Sequence, residues 1–303
     1  MNVLITGANG FVGSQICRSL IKQGHRVRGV MRETANRDRL GDLAAHMECC
    51  VGSPFCDDAA RVLALARGMD LCIHAAWSVV PGRYLSSMDN LACLSGSLRF
   101  FGQVWRADCP RVVGLGTCFE YHIQAQAMPE TTPVGPETLY AATKLSTFLS
   151  AEQMARVQGG SLAWTRLFYL YGPRENPTRL VPDLISHLAR GQRVALTEGR
   201  QQRDFLHIQD AAEGIIATAL SELQGAVNVC SGQGVSVREV ALTLADTMGR
   251  IDLLGFGERP PNAQDPAFVV GDSTRLQQAT GWKPSYSLAT GLRDTLASWP
   301  ASP

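Results

Sequence analysis

Charge is scarce and nearly balanced in this 303-residue chain: 18% of its residues are Asp, Glu, Lys or Arg, and the formal net charge is +1. A chain so close to neutral lacks the basic surface that nucleic acid attracts, so nucleic acid is not an expected partner. Long hydrophobic runs are missing too. No apolar stretch reaches the roughly 20 residues that span a bilayer, and the first strand starts so early that no signal peptide is expected ahead of it. A cytoplasmic protein is the expectation. Cysteines are present but form no pattern: Cys17, Cys49, Cys50, Cys56, Cys72, Cys93, Cys109, Cys118 and Cys230 include no C-x-x-C, and no histidine stands at metal-ligand spacing from them. Free, mostly buried thiols and no metal are expected. Cys49 and Cys50 are the close pair, and strand alternation would send them to opposite faces. Repeats and low-complexity segments are also absent, and the length suits a large α/β domain with a smaller appendage.

What is present centres on the opening stretch. Val3-Leu4-Ile5 makes a short apolar strand that leads through Thr6 into Gly7-Ala8-Asn9-Gly10-Phe11-Val12-Gly13. In this G-x-x-G-x-x-G spacing, Gly7 permits a tight turn, Gly10 lets backbone approach a pyrophosphate, and Gly13 lets the next helix lie close to the sheet. That helix, over Phe11 to Gln23, turns unpaired N–H groups and its positive end toward the phosphates. An ordinary strand-turn-helix corner competes with this reading. The strand before the glycines and the amphipathic helix after them favour a dinucleotide site.

Strand and helix signals then alternate. Strands are expected at His25 to Met31, Met47 to Val51, Asp70 to His74, Arg111 to Leu115 and Ser161 to Tyr169. Helices are expected near Asp57 to Arg67, Tyr84 to Arg106 and Pro136 to Val157, with a further helical stretch ending near His46. Such alternation predicts right-handed parallel βαβ units and hence a doubly wound Rossmann sheet over residues 1–170. From Tyr171 the texture changes. A loop at Gly172 to Pro177, short strands near Val194 and Asp204 to His207, and helices at Ile208 to Glu222, Val237 to Met248 and Leu288 to Trp299 suggest a smaller α+β lobe over 171–303, with some chain returning to the sheet.

Tyr140 and Lys144 stand four apart on an expected helix and so share a face. A phenol has a reference pKa of about 10, and a neighbouring ammonium would lower it toward a value at which it exchanges protons near neutrality. Tyr140 can then serve as acid/base beside a nicotinamide and Lys144 as its electrostatic partner. A surface tyrosine resting on a lysine stem is the alternative.

The ordered set of Thr6 to Gly13, His74-Ala75-Ala76, Thr117, Tyr140-x-x-x-Lys144 and Arg203-Asp204-Phe205-x-His207 resembles the extended short-chain dehydrogenase/reductase family, over nearly the whole chain. The resemblance implies a Rossmann lobe for the dinucleotide and a second lobe gripping a nucleotide-diphosphate sugar. It implies that Gly7, Asn9, Gly10, Phe11, Val12, Arg32, Ala75, Tyr140 and Lys144 bind cofactor. It makes Thr117 the hydroxyl on the reacting oxygen and Arg203 the guanidinium on the substrate diphosphate. Capping of a strand end by Thr117, and a salt bridge from Arg203 to Asp204 or Asp210, are the structural alternatives. Trp77 and Ser78 fall where the sugar pocket is lined, although Trp77 can equally close the core. Tyr169 stands where the family's R-x-F-N-x-Y-G-P segment has asparagine, so it joins the expected substrate-binding residues with altered hydrogen bonding. A homodimer through the Tyr140 helix and the one before it is also implied.

Departures from the family pattern bear on the reaction. Sugar 4,6-dehydratases of the family carry a carboxylate next to the threonine or two after it, whereas this chain has Thr117-Cys118-Phe119 and its glutamate only at Glu120. On a continuing strand that shift would turn Glu120 to the opposite face, which disfavours elimination. At the end of the second strand Val30-Met31-Arg32 offers no acid for a ribose 2′-hydroxyl, and an arginine suits a 2′-phosphate. Arg37 or Arg39 are candidates to stand in for Arg32. The expectation is NADPH-dependent reduction of a nucleotide-linked 4-keto-6-deoxyhexose, with C4 epimerisation as the alternative and a non-catalytic NADP sensor behind both.

Overall fold

The computed structural model describes residues 1–32, 38–262 and 265–299; Arg37 lies outside them. In chain order the first half runs β1 (Asn2–Thr6), α1 (Phe11–Lys22), β2 (Arg26–Met31), β3 (Glu48–Val51), α2 (Ala59–Ala66), β4 (Leu71–His74), α3 (Asp89–Arg106), β5 (Arg111–Thr117), α4 (Leu139–Gln158) and β6 (Ser161–Leu167). The second half runs β7 (Tyr169–Tyr171), α5 (Leu180–Ala189), β8 (Val194–Leu196), β9 (Gln202–His207), α6 (Ile208–Leu220), β10 (Gly225–Val229), β11 (Gly234–Ser236), α7 (Val237–Thr247), β12 (Leu254–Phe256), β13 (Phe268–Val269), α8 (Thr274–Thr280) and α9 (Leu288–Ala297).

Strand alternation builds the main sheet from two apolar faces. Val3 and Ile5 of β1, Leu71 and Ile73 of β4 and Val113 of β5 pack on α1 and α6. Leu4, Cys72 and Val112, their in-between neighbours, pack on α3 and α4 through Phe100, Phe101, Trp105 and Phe148. Val3–Ile5, Leu71–Ile73 and Val112–Val113 are apolar on both faces, as a parallel sheet covered by helices requires. The seven strands run β10-β6-β5-β4-β1-β2-β3, and all are parallel. The chain is a doubly wound Rossmann-type fold. Cys49 and Cys50 in β3 join the two different cores, in line with their alternation.

Strand order reverses between β1 and β4, which opens a crevice at the carboxyl ends of the strands. Around it the chain departs from the boundaries that periodicity suggests. The third helix starts at Asp89 rather than Tyr84, because the Asn90 side chain holds the Tyr84 and Ser87 carbonyls at 2.7 and 2.8 Å and closes Tyr84–Ser87 as turns. Helix α4 starts at Leu139, since the Thr138 hydroxyl accepts from the Ala141 N–H and caps it there. The expected strand from Ser161 to Tyr169 divides at Phe168. That ring is buried with Tyr121, Met128, Cys230 and Val269, so the chain leaves the main sheet and continues as β7 against β9.

The remaining chain builds a second core from Leu184, Ile185, Val194, Leu196, Val240, Leu244 and Leu292. β9 is flanked by β11 and β13, while β8 pairs with β12. Two later elements return to the first sheet: β10 adds its edge strand beside β6, and α6 packs on α1 through the first core. Among the described residues, no helix is long and apolar enough to cross a membrane.

Candidate active site

Three strand ends meet at the crevice. At the end of β1, Gly7 takes φ +68°, and a Cβ there would lie 2.9 Å from Ala76. A Cβ on Gly13 would fall 2.2 Å from the Gly7 carbonyl oxygen, so only glycine lets α1 begin this close to the strand end. Asn9 lies in the turn between them. Gly10 precedes Phe11 and Val12 as an extended N-cap, and no side chain caps the helix. Its first-turn N–H groups therefore keep their donor capacity for an anion. Arg32 follows the last residue of β2 and is exposed.

At the end of β4, Ala75 and Ala76 are tied to Thr6, through its carbonyl at 3.2 Å and its hydroxyl at 3.3 Å. His74 is locked beneath them. Its two ring nitrogens lie 2.9 Å from the Thr6 hydroxyl and 3.0 Å from that of Ser97, among Phe55, Phe100 and Phe101. Burial, with the nearby charge of Lys144, pulls the imidazole down to about 3, so it is neutral. Trp77 donates to the Asn90 amide oxygen at 2.8 Å, and Ser78 reaches Asp89 at 3.4 Å.

At the end of β5, Thr117 opens a 3-10 turn, Cys118–Glu120, with a capping box: its hydroxyl accepts from Phe119 N–H, and the Glu120 carboxylate accepts from Thr117 N–H at 2.9 Å. This corrects the expectation of a continuing strand. Glu120 is turned back into the protein by the turn, where Oε1 also accepts from the Trp164 indole at 2.9 Å and Oε2 pairs with Arg166 at 2.8 Å. Both members of that ion pair are buried, at 0% and 2% side-chain exposure. The T-x-x-E spacing was the signal for this arrangement.

Tyr140 and Lys144 reach the same place from α4. Tyr140 lies beside Thr117, and burial pushes the phenol above its ordinary value, with Tyr84, Glu120 and Cys118 adding to the rise and Thr117 opposing it. The expected lowering by Lys144 is not what the geometry provides. The Lys144 ammonium lies 6.0 Å from the Tyr140 ring centre; it donates to the Leu115 carbonyl at 2.7 Å and sits 3.9 Å above the Trp77 ring. Burial lowers Lys144 to about 7, against the opposing pull of Glu120 and Cys93.

Across the crevice, Tyr169 packs against Phe119 and Phe205. Arg203, buried, stacks 5.3 Å from the Tyr169 ring centre and pairs with Asp265 at 2.5 Å. Neither aspartate foreseen as its partner holds it. Asp204 accepts from Ser231, Gly232 and Gly271, while Asp210 accepts from Ser285 and Tyr286. Sequence reasoning missed Tyr84, whose ring meets Tyr140 edge-on at 4.9 Å, as well as Asn90 and Asp265. These contacts join residues with no recognisable spacing. Arg39 and Arg174 each donate to the other's carbonyl, at 2.9 and 2.8 Å, which places Arg39 beside the loop after β7. Among the described residues no group of histidine, cysteine and carboxylate side chains could hold a metal, and all nine cysteines are free.

Known proteins share this fold. The chain is 29% identical to a dTDP-glucose 4,6-dehydratase of Streptomyces griseus, over 98% of this chain and 93% of that protein. It is 27% identical to a UDP-glucose 4-epimerase of Azospirillum brasilense, over 99% and 92%. Its fold is similar to that of a UDP-glucose 4-epimerase of Thermotoga maritima solved with UDP-glucose (TM-score 0.89, 22% identity, 98% of each chain). It is likewise similar to the dTDP-glucose 4,6-dehydratase DesIV of Streptomyces venezuelae, solved with NAD and TYD (TM-score 0.88, 24% identity, 98% and 96% covered). Residues 3–230 match the model of the NAD dependent epimerase/dehydratase family. With three quarters of its length in that match and its strand-end crevice built as described, the chain belongs to the NAD dependent epimerase/dehydratase family.

Proposed function

We propose that this protein reduces the keto group of a nucleotide-diphosphate-linked 4-keto-6-deoxyhexose with NADPH. One observation carries the reading: Glu120, the carboxylate nearest Thr117 in this turn, is held by Thr117 N–H, Trp164 and Arg166, while Thr117 and Tyr140 stand side by side at the crevice. The site can protonate an oxygen but has no free carboxylate from this turn to remove a proton for elimination. Phe119 and Tyr169 add an aromatic wall beside it.

The uncapped start of α1 and the close approach allowed by Gly7 and Gly13 suit a dinucleotide pyrophosphate. Gly7, Asn9, Gly10, Phe11, Val12 and Ala75 would hold it, with Tyr140 and Lys144 toward its nicotinamide end. A bound nicotinamide dinucleotide supplies the hydride. Arg32, exposed beyond β2, would face the 2′-phosphate of NADPH. Trp77, Ser78, Thr117, Tyr169 and Arg203 are assigned to the nucleotide sugar; Arg203 would exchange Asp265 for the diphosphate. A homodimer through α3 and α4, where Leu91 and Leu149 are exposed, belongs to the same reading.

A second reading, C4 epimerisation with NAD, is favoured by the similarity to UDP-glucose 4-epimerases and to structures holding NAD. The test follows NADPH and NADH absorbance with dTDP- and UDP-linked 4-keto-6-deoxyhexoses, alongside interconversion of UDP-glucose and UDP-galactose. Oxidation of NADPH by a keto sugar is expected. Interconversion without net nicotinamide consumption would replace the reductase by the epimerase, and a keto product formed from a 6-hydroxy sugar nucleotide would overturn both.

A further inference from the structure

We propose that Trp77, locked in place by Asn90, is a positioning residue that holds the Lys144 ammonium against the Leu115 carbonyl. The inference rests on the reading of Lys144 as part of the catalytic set. Strand β4 pairs with β5 only as far as His74 and Gly114, one residue short of Leu115. Beyond that point the chain turns through Ala75 and Ala76 and sets the Trp77 indole under Lys144, at 3.9 Å from nitrogen to ring centre. The ammonium donates to the Leu115 carbonyl at 2.7 Å, so a backbone oxygen and an aromatic face fix it from two sides.

The indole is itself fixed. Its N–H donates to Asn90 Oδ1 at 2.8 Å, and Asn90, fully buried, uses its NH2 group on the Tyr84 and Ser87 carbonyls. The same segment supports Tyr140. The Leu85 carbonyl accepts the Tyr140 N–H at 3.1 Å, and the Tyr84 ring packs on the phenol. Asn90 therefore knots one stretch, residues 77–90, that touches both members of the pair. The titratable groups around Lys144 are His74 from β4, Cys93 from α3, Glu120 from the turn after β5 and Tyr140 from α4. None of them hydrogen-bonds its nitrogen, and the Trp164 and Tyr140 rings stand farther off, at 5.9 and 6.0 Å, so the closest holds on the ammonium are the Leu115 carbonyl and the Trp77 ring.

The chain has three lysines, Lys22, Lys144 and Lys283, and the other two are exposed. Selective 13C labelling of lysine therefore yields a spectrum in which Lys144 is assigned by its loss in Lys144→Arg. In the wild-type protein the Lys144 ε-methylene should be displaced upfield by the Trp77 ring current, and it should titrate well below the ordinary lysine range. Trp77→Leu keeps the site apolar but removes the π face. It should remove most of the displacement and lower the titration midpoint by about 0.3 to 1.5 pH units, which is the about 2- to 30-fold loss of preference for the cation expected of one such contact.

Trp77→Phe, which keeps an aromatic face but loses the N–H to Asn90, should give effects between those of wild type and Trp77→Leu. On the nucleotide sugar that turns over, Trp77→Leu should lower kcat in addition to any rise in KM from the sugar contact assigned to Trp77, whereas a tryptophan that only lines the sugar pocket would raise KM and leave kcat unchanged. A wild-type Lys144 signal that coincides with those of Lys22 and Lys283 would overturn the proposal without any variant. So would a Lys144 titration that Trp77→Leu leaves unmoved. Tyr140→Phe separates the two levels: if it keeps wild-type turnover the catalytic reading fails, while the lysine spectra still judge the placement of Lys144.

Discussion

Replacing Glu120 by glutamine tests whether this carboxylate is structural. The carboxylate is buried, accepts from Thr117 N–H at 2.9 Å, from the Trp164 indole at 2.9 Å and from Arg166 at 2.8 Å, and Arg166 is itself 2% exposed. Glutamine keeps the volume and one acceptor oxygen but offers an N–H2 group where Arg166 needs an anion. Breaking a buried pair from one side costs about 3–5 kcal/mol, because the remaining charge has neither water nor counter-charge. Urea unfolding followed by tryptophan fluorescence should show that loss, with Trp164 as a local reporter. Arg166→Met in the Glu120→Gln background removes the stranded charge, so the double variant should regain about 1–3 kcal/mol relative to additivity. Glu120→Gln as stable as wild type, or single effects that simply add, would refute the ion pair. With it would fall the argument that this carboxylate is unavailable for elimination.

Tyr140→Phe should keep dinucleotide affinity and lower turnover of a keto sugar by about 10²- to 10⁴-fold, since only the transferable proton is removed; turnover within threefold of wild type would contradict the assignment. Arg32→Ala should weaken NADPH binding by roughly 10- to 100-fold, as loss of charge-assisted hydrogen bonds predicts, and leave NADH within about twofold in a fluorescence titration. Equal losses for both, or a wild-type preference for NADH, would move the epimerase reading ahead. Stability should fall on acidification in a window set by His74. Burial holds its folded-state value down at about 3, below the unfolded value of about 6.5. The unfolded chain therefore binds the extra proton between the two, and stability drops as pH falls through that range. His74→Gln should flatten the acid side of a melting-temperature profile; an unchanged slope would mean that the ring is charged in the folded protein.

Much of the fold was legible because it depends on neighbours in sequence. The alternation of Val3, Leu4 and Ile5 feeds two opposite cores, and strand-helix exchange through Ser161 permits only parallel crossovers. The glycine spacing from Gly7 to Gly13 is needed by backbone that would otherwise collide. Tyr140 and Lys144 share a helix face because of their four-residue interval. Even the Thr117–Glu120 capping box is local, and its spacing is present in the chain. The tertiary structure alone decided what joins distant segments. The short β10 has too few alternating residues to announce itself, and it becomes the edge of the main sheet only because β6 offers it a partner. Phe168 ends β6 by entering a core made with Cys230 and Val269, about 60 to 100 residues later. Glu120 finds Arg166, Trp77 finds Asn90, and Arg203 finds Asp265 instead of the aspartate beside it. Local periodicity specifies which face a side chain takes, whereas a hydrogen-bond or ion-pair partner across the fold is specified only when packing has brought the two backbones together.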